Sequence, residues 1–269
     1  VIANKNRKPI EKILSKGAKE VKTLEEFKEG ISKGVGNTVD SAIGFATNTK
    51  LNFQPKFGNA DLQLNDAVYT TKINDSIWID VFKCYVSNIA LLQNGKVVWQ
   101  KKNSFHLINI ANQQSLQLML QTPAAIAFDA IQFNVGIDSV TNVSGAMGGD
   151  LDPTNGMYWT WQSGYINIKL EGRSNKCLTR NNAFTFHLGG YQYPFNALQK
   201  IIIPIQQKEK INIIIDGQKF ISSIDLTSQN QIMSPGKSAM YLSNQFSTIF
   251  SELKQLILLS TPIVKGCLA

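Results

Sequence analysis

From Leu51 onward the apolar residues recur with a period of two, and no helix-period stretch interrupts them before residue 234. Period two is the spacing of a strand with one buried face. A parallel α/β fold would need helical crossovers of about a dozen residues between strands, and none can be read in this interval. Ile77, Ile79 and Val81 alternate and run into KCYVSNIALL, residues 83–92. Asn94-Gly95 then predicts a two-residue hairpin into Val97-Val98-Trp99. Further strands are expected at Leu51–Phe53, near Leu62–Tyr69, and over Ser104–Ile110, Ser115–Leu120, Ala127–Gly136, Met157–Glu171, Ala183–Leu188, Ala197–Pro204 and Lys210–Ile215, with a short one near Phe220–Leu226. Pro55 interrupts the first strand or places it at an edge. Asp216-Gly217 reads as a second hairpin. The expected class is all-β, an antiparallel β-sandwich of Greek-key or immunoglobulin-like type.

Two helical segments flank this region. Pro9 opens a pattern with apolar residues at Ile10, Ile13, Leu14, Val21, Leu24, Phe27 and Ile31, and Thr23-x-x-Glu26 is a capping box. At the other end, Ser234-Pro235 reads as a cap and first turn. Met240, Leu242, Phe246, Ile249, Phe250, Leu253, Leu256 and Ile257 form an amphipathic stripe that Pro262 stops. The expected organisation is a basic helical arm and linker over 1–49, the sandwich over 50–232, and a C-terminal helix and tail over 233–269.

The net charge of +8 is concentrated at the start: residues 1–34 hold nine Lys/Arg against five Glu. The remainder is close to balanced and shows no basic stripe interleaved with aromatics, so nucleic acid is not an expected partner. An anionic headgroup or an acidic partner would attract the arm instead. Three cysteines, Cys84, Cys177 and Cys267, with no CxxC, point away from a disulfide framework and leave room for one bridge. The chain starts at Val1 without Met, as a processed or partial chain would. LILLSTPIVKGC resembles a lipoprotein signal but lies at the wrong end, and no apolar run is long enough for a transmembrane helix.

Catalytic patterns are absent: there is no HExxH, GxSxG or phosphate loop, and His106 and His187 are the only histidines. No enzyme is therefore expected. In FTFHLGG, alternation sends Phe184, Phe186 and Leu188 inward and His187 outward, toward solvent. Within one strand, Trp159 and Trp161 would share a face, either as packing or as a site. The loop around Asp150, Asp152 and Asn155, with Asp138 as a further donor, offers the oxygens calcium prefers, although such residues also cap turns.

Five segments in order, KCYVSNIALL, FNVGIDSVTN, GGDLDPTNGMYWTWQSGYINIKLEG, FTFHLGG and MSPG, resemble the MbnP-like proteins, periplasmic or surface copper-binding β proteins related to those encoded with methanobactin. The resemblance covers roughly residues 50–250. It implies a non-enzymatic sandwich in which imidazoles and a kynurenine hold copper, the kynurenine made from tryptophan by a separate dihaem enzyme related to cytochrome c peroxidases. It implies His187, with His106 as a second imidazole, and Trp159 or Trp161 as the oxidised residue. It also implies a periplasmic or cell-surface, outer-membrane-associated location. Relatives carry a His in the first strand, where this chain reads Phe53-Gln54-Pro55-Lys56. A second expectation follows: an accessory subunit of a cell-envelope complex that keeps the fold without the metal and docks through residues 1–48 and the C-terminal helix.

Overall fold

The computed structural model of the chain describes residues 46–71, 75–123, 126–206 and 209–253. Residues 1–45 of the expected arm and linker, and Leu256, Ile257, Pro262 and Cys267, lie outside these residues, while residues 46–49, expected as linker, begin the first strand. From Asn48 onward, Pro123 aside, the described residues fall in one unit.

The first sheet holds β1 (Ala46–Phe57), β2 (Ala60–Asp61), β7 (Gln117–Pro123), β13 (Lys210–Asp216) and β15 (Phe250–Glu252). The second is built around β4 (Ser76–Gln93), an 18-residue strand. One side of β4 receives β3 (Tyr69–Thr70), β6 (Phe105–Asn109) and β5 (Lys96–Gln100) in turn. The other receives β10 (Gly164–Ser174) and then β8 (Ala130–Val135). Beyond these lie β11 (Ala183–Gly189), β14 (Gln231–Ile232) and β12 (Gln199–Pro204), while β9 (Tyr158–Trp159) pairs with β10.

The molecule is the expected β-sandwich, and antiparallel pairing predominates. Two parallel pairings are added, β1 with β13 and β11 with β14. Parallel neighbours need a long connection rather than a turn. For β1 and β13 that connection holds every strand of the second sheet except β14. Pro55 does not end β1: it pairs with Ile215, and its carbonyl accepts from the Leu62 N–H. The Asn94-Gly95 hairpin forms as expected, with both residues at positive φ.

Asp216-Gly217 does not make a hairpin. The Asp216 carboxylate accepts from the Lys219 N–H and caps α2 (Gly217–Ile221), so the expected strand near Phe220–Leu226 is a helical turn. A second short helix, α1 (Ser139–Val143), follows β8. α3 (Lys237–Ser247) is shorter than its apolar stripe suggested and starts after Gly236, without a side-chain cap. Phe250 then enters β15, because an apolar run of this length satisfies a buried strand as readily as a helix.

The main core lies between the sheets and is threaded by phenylalanines. Phe53 meets Phe133 edge-on, Phe133 meets Phe250, and Phe246 of α3 touches Phe82, Phe220 and Phe250. Edge-to-face rings of this kind add attraction to the area they bury. α3 is therefore part of the body, with Ala239, Leu242 and Phe246 buried. A second apolar cluster lies on the outer side of the large sheet. It contains Tyr85, Leu107, Ile137, Leu151, Met157, Trp159, Tyr165 and Ile166.

Candidate functional site

The outer cluster positions the candidate residues. Between β8 and β10 the chain leaves the sheet and folds back over it, and short capped turns hold it there. Asp138 caps α1 by accepting from the Thr141 N–H and hydroxyl. Asp152 does the same with Thr154. The Asp150 carboxylate accepts from the Leu107 N–H, and its carbonyl accepts from the Tyr85 hydroxyl. The Asn155 amide donates to the carbonyls of Gly149 and Asp150. The oxygens considered for calcium thus serve the loop's own backbone, the capping role open to Asp and Asn.

Beneath the loop, Lys83, Lys169 and His187 stand in one row across β4, β10 and β11, in register. The Lys83 ammonium donates to the Asn155 carbonyl at 3.0 Å and the Lys169 ammonium to the Gly156 carbonyl at 3.3 Å. Lys169 also pairs with Glu171 at 3.4 Å. Glu171 receives the His187 Nε2 hydrogen at 2.7 Å, since a carboxylate only accepts. Burial, opposed by the Glu171 hydrogen bond, holds the His187 pKa below its ordinary value. For Glu171, burial works upward, but His187 and Lys169 prevail and the pKa is lowered. Lys83 is lowered by burial and then by Lys169.

His187 lies opposite Phe184 and Phe186, as alternation predicts, but it is only 8% exposed. The excursion that covers this face could not be anticipated from the strand alone. The two tryptophans do not share a strand: Trp159 ends β9, and Trp161 sits in the turn to β10, where Ser163 has positive φ. Their rings still approach to 5.9 Å, with Trp159 6% exposed and Trp161 65% exposed. A Cβ at Gly189 would meet the Trp159 ring at 2.8 Å. Gly189 and His187 are two positions apart on β11, so Trp159 and His187 lie over the same face.

His106 is elsewhere. Alternation along β6 sets it opposite Leu107, which belongs to the outer cluster. Its Nδ1 is 4.0 Å from Asp150 and its Nε2 is 3.5 Å from the Lys101 ammonium. Burial first, and then Lys101, lower its pKa against the pull of Asp150. The charges around the two imidazoles do not overlap.

The face therefore carries one imidazole, one carboxylate and two ammonium groups. Among the described residues no group of three or more His, Cys, Asp and Glu is placed to hold a metal. The bond to Glu171 leaves the His187 Nδ1 free to accept, but one imidazole beside two cations does not supply the ligand set that copper takes from nitrogen and sulfur donors. An oxidised Trp159 would add a single donor. Sequence reasoning missed Lys83, Lys169 and Glu171. The available signal was charge at alternate positions in otherwise apolar strands, which marks one shared outer face.

Fold and face together define a class: a two-sheet β protein whose distinctive residues gather on one outer sheet face beneath a polar loop. The MbnP family profile matches residues 46–234, and the chain belongs to that family. The fold is similar to that of MbnP from Methylosinus trichosporium, with a TM-score of 0.53 and 13% identity over 68% of this chain and 80% of that one. At that identity the likeness is one of fold. No curated protein matches the chain.

Proposed function

We propose that this chain is a non-enzymatic MbnP-family protein of the cell envelope, periplasmic or surface-exposed and outer-membrane-associated. It acts as an accessory subunit in which ion pairs, not copper, close the His187 face. The observation that carries this reading is the Lys83–Lys169–Glu171–His187 network. The two ammonium groups repel a cation, and the same two groups clip Asn155 and Gly156 of the loop to the sheet. Docking falls to residues 1–48, which hold nine Lys/Arg against six Asp/Glu and lie almost wholly outside the family match. The C-terminal helix, considered for docking from sequence, has its apolar side committed to the core.

Equilibrating the full chain with cupric ion and then dialysing it tests the proposal. The expected result is no stoichiometric copper retained and tryptophans of unmodified mass. Deleting residues 1–48 is expected to release the protein from its envelope assembly, and unchanged association counts against the docking role. A second reading, copper binding with a tryptophan oxidised to kynurenine by a dihaem cytochrome c peroxidase-like partner, draws on the shared face of Trp159 and His187. Retained copper that His187→Ala removes, or an oxidised Trp159 or Trp161, would establish it in place of the first.

A further inference from the structure

Beside the His187 face, the loop leaving β11 builds a cleft of about 250 Å³. Its walls include Gln162, Tyr191, Gln192, Tyr193, Phe195 and Pro235. These come from three segments far apart in the chain: the turn after Trp161, the stretch after the FHLGG strand, and MSPG. Local geometry holds the segments together. Gly190 has positive φ, a Cβ there would strike the Phe195 carbonyl, and Pro235 is also in contact. The Tyr191 ring lies over Gly164, 3.1 Å from where a Cβ would be. The Phe195 N–H donates to the Gln192 carbonyl, the Ala197 N–H to the Gly190 carbonyl, and the Ser139 hydroxyl to the Tyr191 carbonyl. Trp161 adjoins the cleft through Gln162, and Tyr193, 97% exposed, stands at its mouth.

The lining selects a ligand class. None of the lining residues carries a charge, so neither a metal ion nor a phosphate finds a counter-charge there. Two carboxamides and two phenols each offer donors and acceptors; the Gln192 amide donates to the Tyr191 hydroxyl at 3.5 Å, and a purely apolar ligand would leave their remaining capacity unpaired at a cost. Flat aromatic faces at the rim suit a ring with an apolar side, and tyrosine and tryptophan join such a face to a polar handle. The volume lies just below the range of about 300–1,000 Å³ typical of drug-sized ligand pockets, so it suits one ring rather than a long molecule. A neutral pyranose has an apolar C–H face, a rim of hydroxyls, no charge and the size of one ring.

We propose that this cleft binds a neutral saccharide, as a free sugar or as the terminal residue of an envelope glycan. The site is separate from the His187 network and stands whether or not that network excludes copper. The test is tryptophan fluorescence of the full chain titrated with D-glucose, D-mannose and N-acetyl-D-glucosamine, each free and as the end of a β-linked oligosaccharide, with D-glucuronate as a charged control. A saturable change with at least one neutral sugar is expected, weaker by tenfold or more with glucuronate. Preference for the oligosaccharide identifies a glycan end, and equal binding identifies the free sugar. Tyr193→Ala and Gln192→Ala, both at exposed positions, are expected to weaken binding tenfold or more while leaving the unfolding midpoint unchanged. No saturable change with any neutral sugar, or full binding by the Tyr193→Ala protein, would overturn the proposal. Copper retention by the same sample reports on the other site, so the two readings fail separately.

Discussion

Glu171 is the residue on which the outer face turns, because it joins His187 to Lys169. Replacing it with Gln keeps the shape and removes the charge. The expected cost near neutral pH is about 1 kcal/mol, the usual net worth of one such bond. The pH dependence tests the assignment more sharply. The native pKa of Glu171 is depressed, so its contribution is present above the unfolded value of 4.5 and is lost as pH falls through the lower native value. The native pKa of His187 is also depressed below 6.5, so the unfolded chain takes up that proton first and stability falls with pH in that window too. Without the Glu171 charge, His187 loses the group that pulls its pKa upward. Urea unfolding of Glu171→Gln should therefore show a steeper loss than wild type just below 6.5 and a shallower one below 4.5. Parallel pH curves for the two proteins would mean that the His187–Glu171 bond does not form in solution.

At the scale of elements, α2 shows how one dipeptide supports two structures. Asp-Gly suits a type I′ hairpin, and Asp is also a strong helix cap. The second use prevails here because the Asp216 carboxylate reaches the Lys219 N–H, and Phe220 and Ile221 become buried. Asp216→Ala should lower stability by about 1 kcal/mol, whereas Asp216→Asn should retain most of it. An Ala variant as stable as wild type in thermal unfolding would remove the cap from the account. The alternation of β4, the Asn94-Gly95 turn and the inward phenylalanines of β11 were legible because each depends on neighbours only a few residues apart. The burial of His187 was not, because its cover comes from the 137–166 excursion. The turn at Ser163 that separates Trp161 from β9 was also illegible: WTWQSGY alternates well enough to pass for one strand, and Ser rarely takes the positive φ it adopts here.

For the molecule as a whole, closure depends on two strands at opposite ends of the family domain. β1 and β13 pair in parallel from Lys50 with Lys210 to Lys56 with Asp216. At their centre the Asn52 amide donates to the Asn212 side-chain oxygen at 2.9 Å, a buried bond spanning 160 positions of sequence. Gln54 donates to the same oxygen at 3.4 Å. Removing the Asn52 side chain costs that bond and opens a small gap beside β13, together about 1–3 kcal/mol. The kinetics should show where the cost falls. Loop closure over such a separation is entropically expensive, and local hairpins such as β4–β5 can form without it. The β1–β13 pairing is therefore expected late on the folding route. Asn52→Ala should then accelerate unfolding and leave refolding nearly unchanged, because interactions absent from the transition state act on the unfolding limb. Stopped-flow denaturant jumps on the two proteins measure both limbs. Slower refolding with unchanged unfolding would put the parallel pair in the nucleus, and the sandwich would then assemble from its closing strands inward.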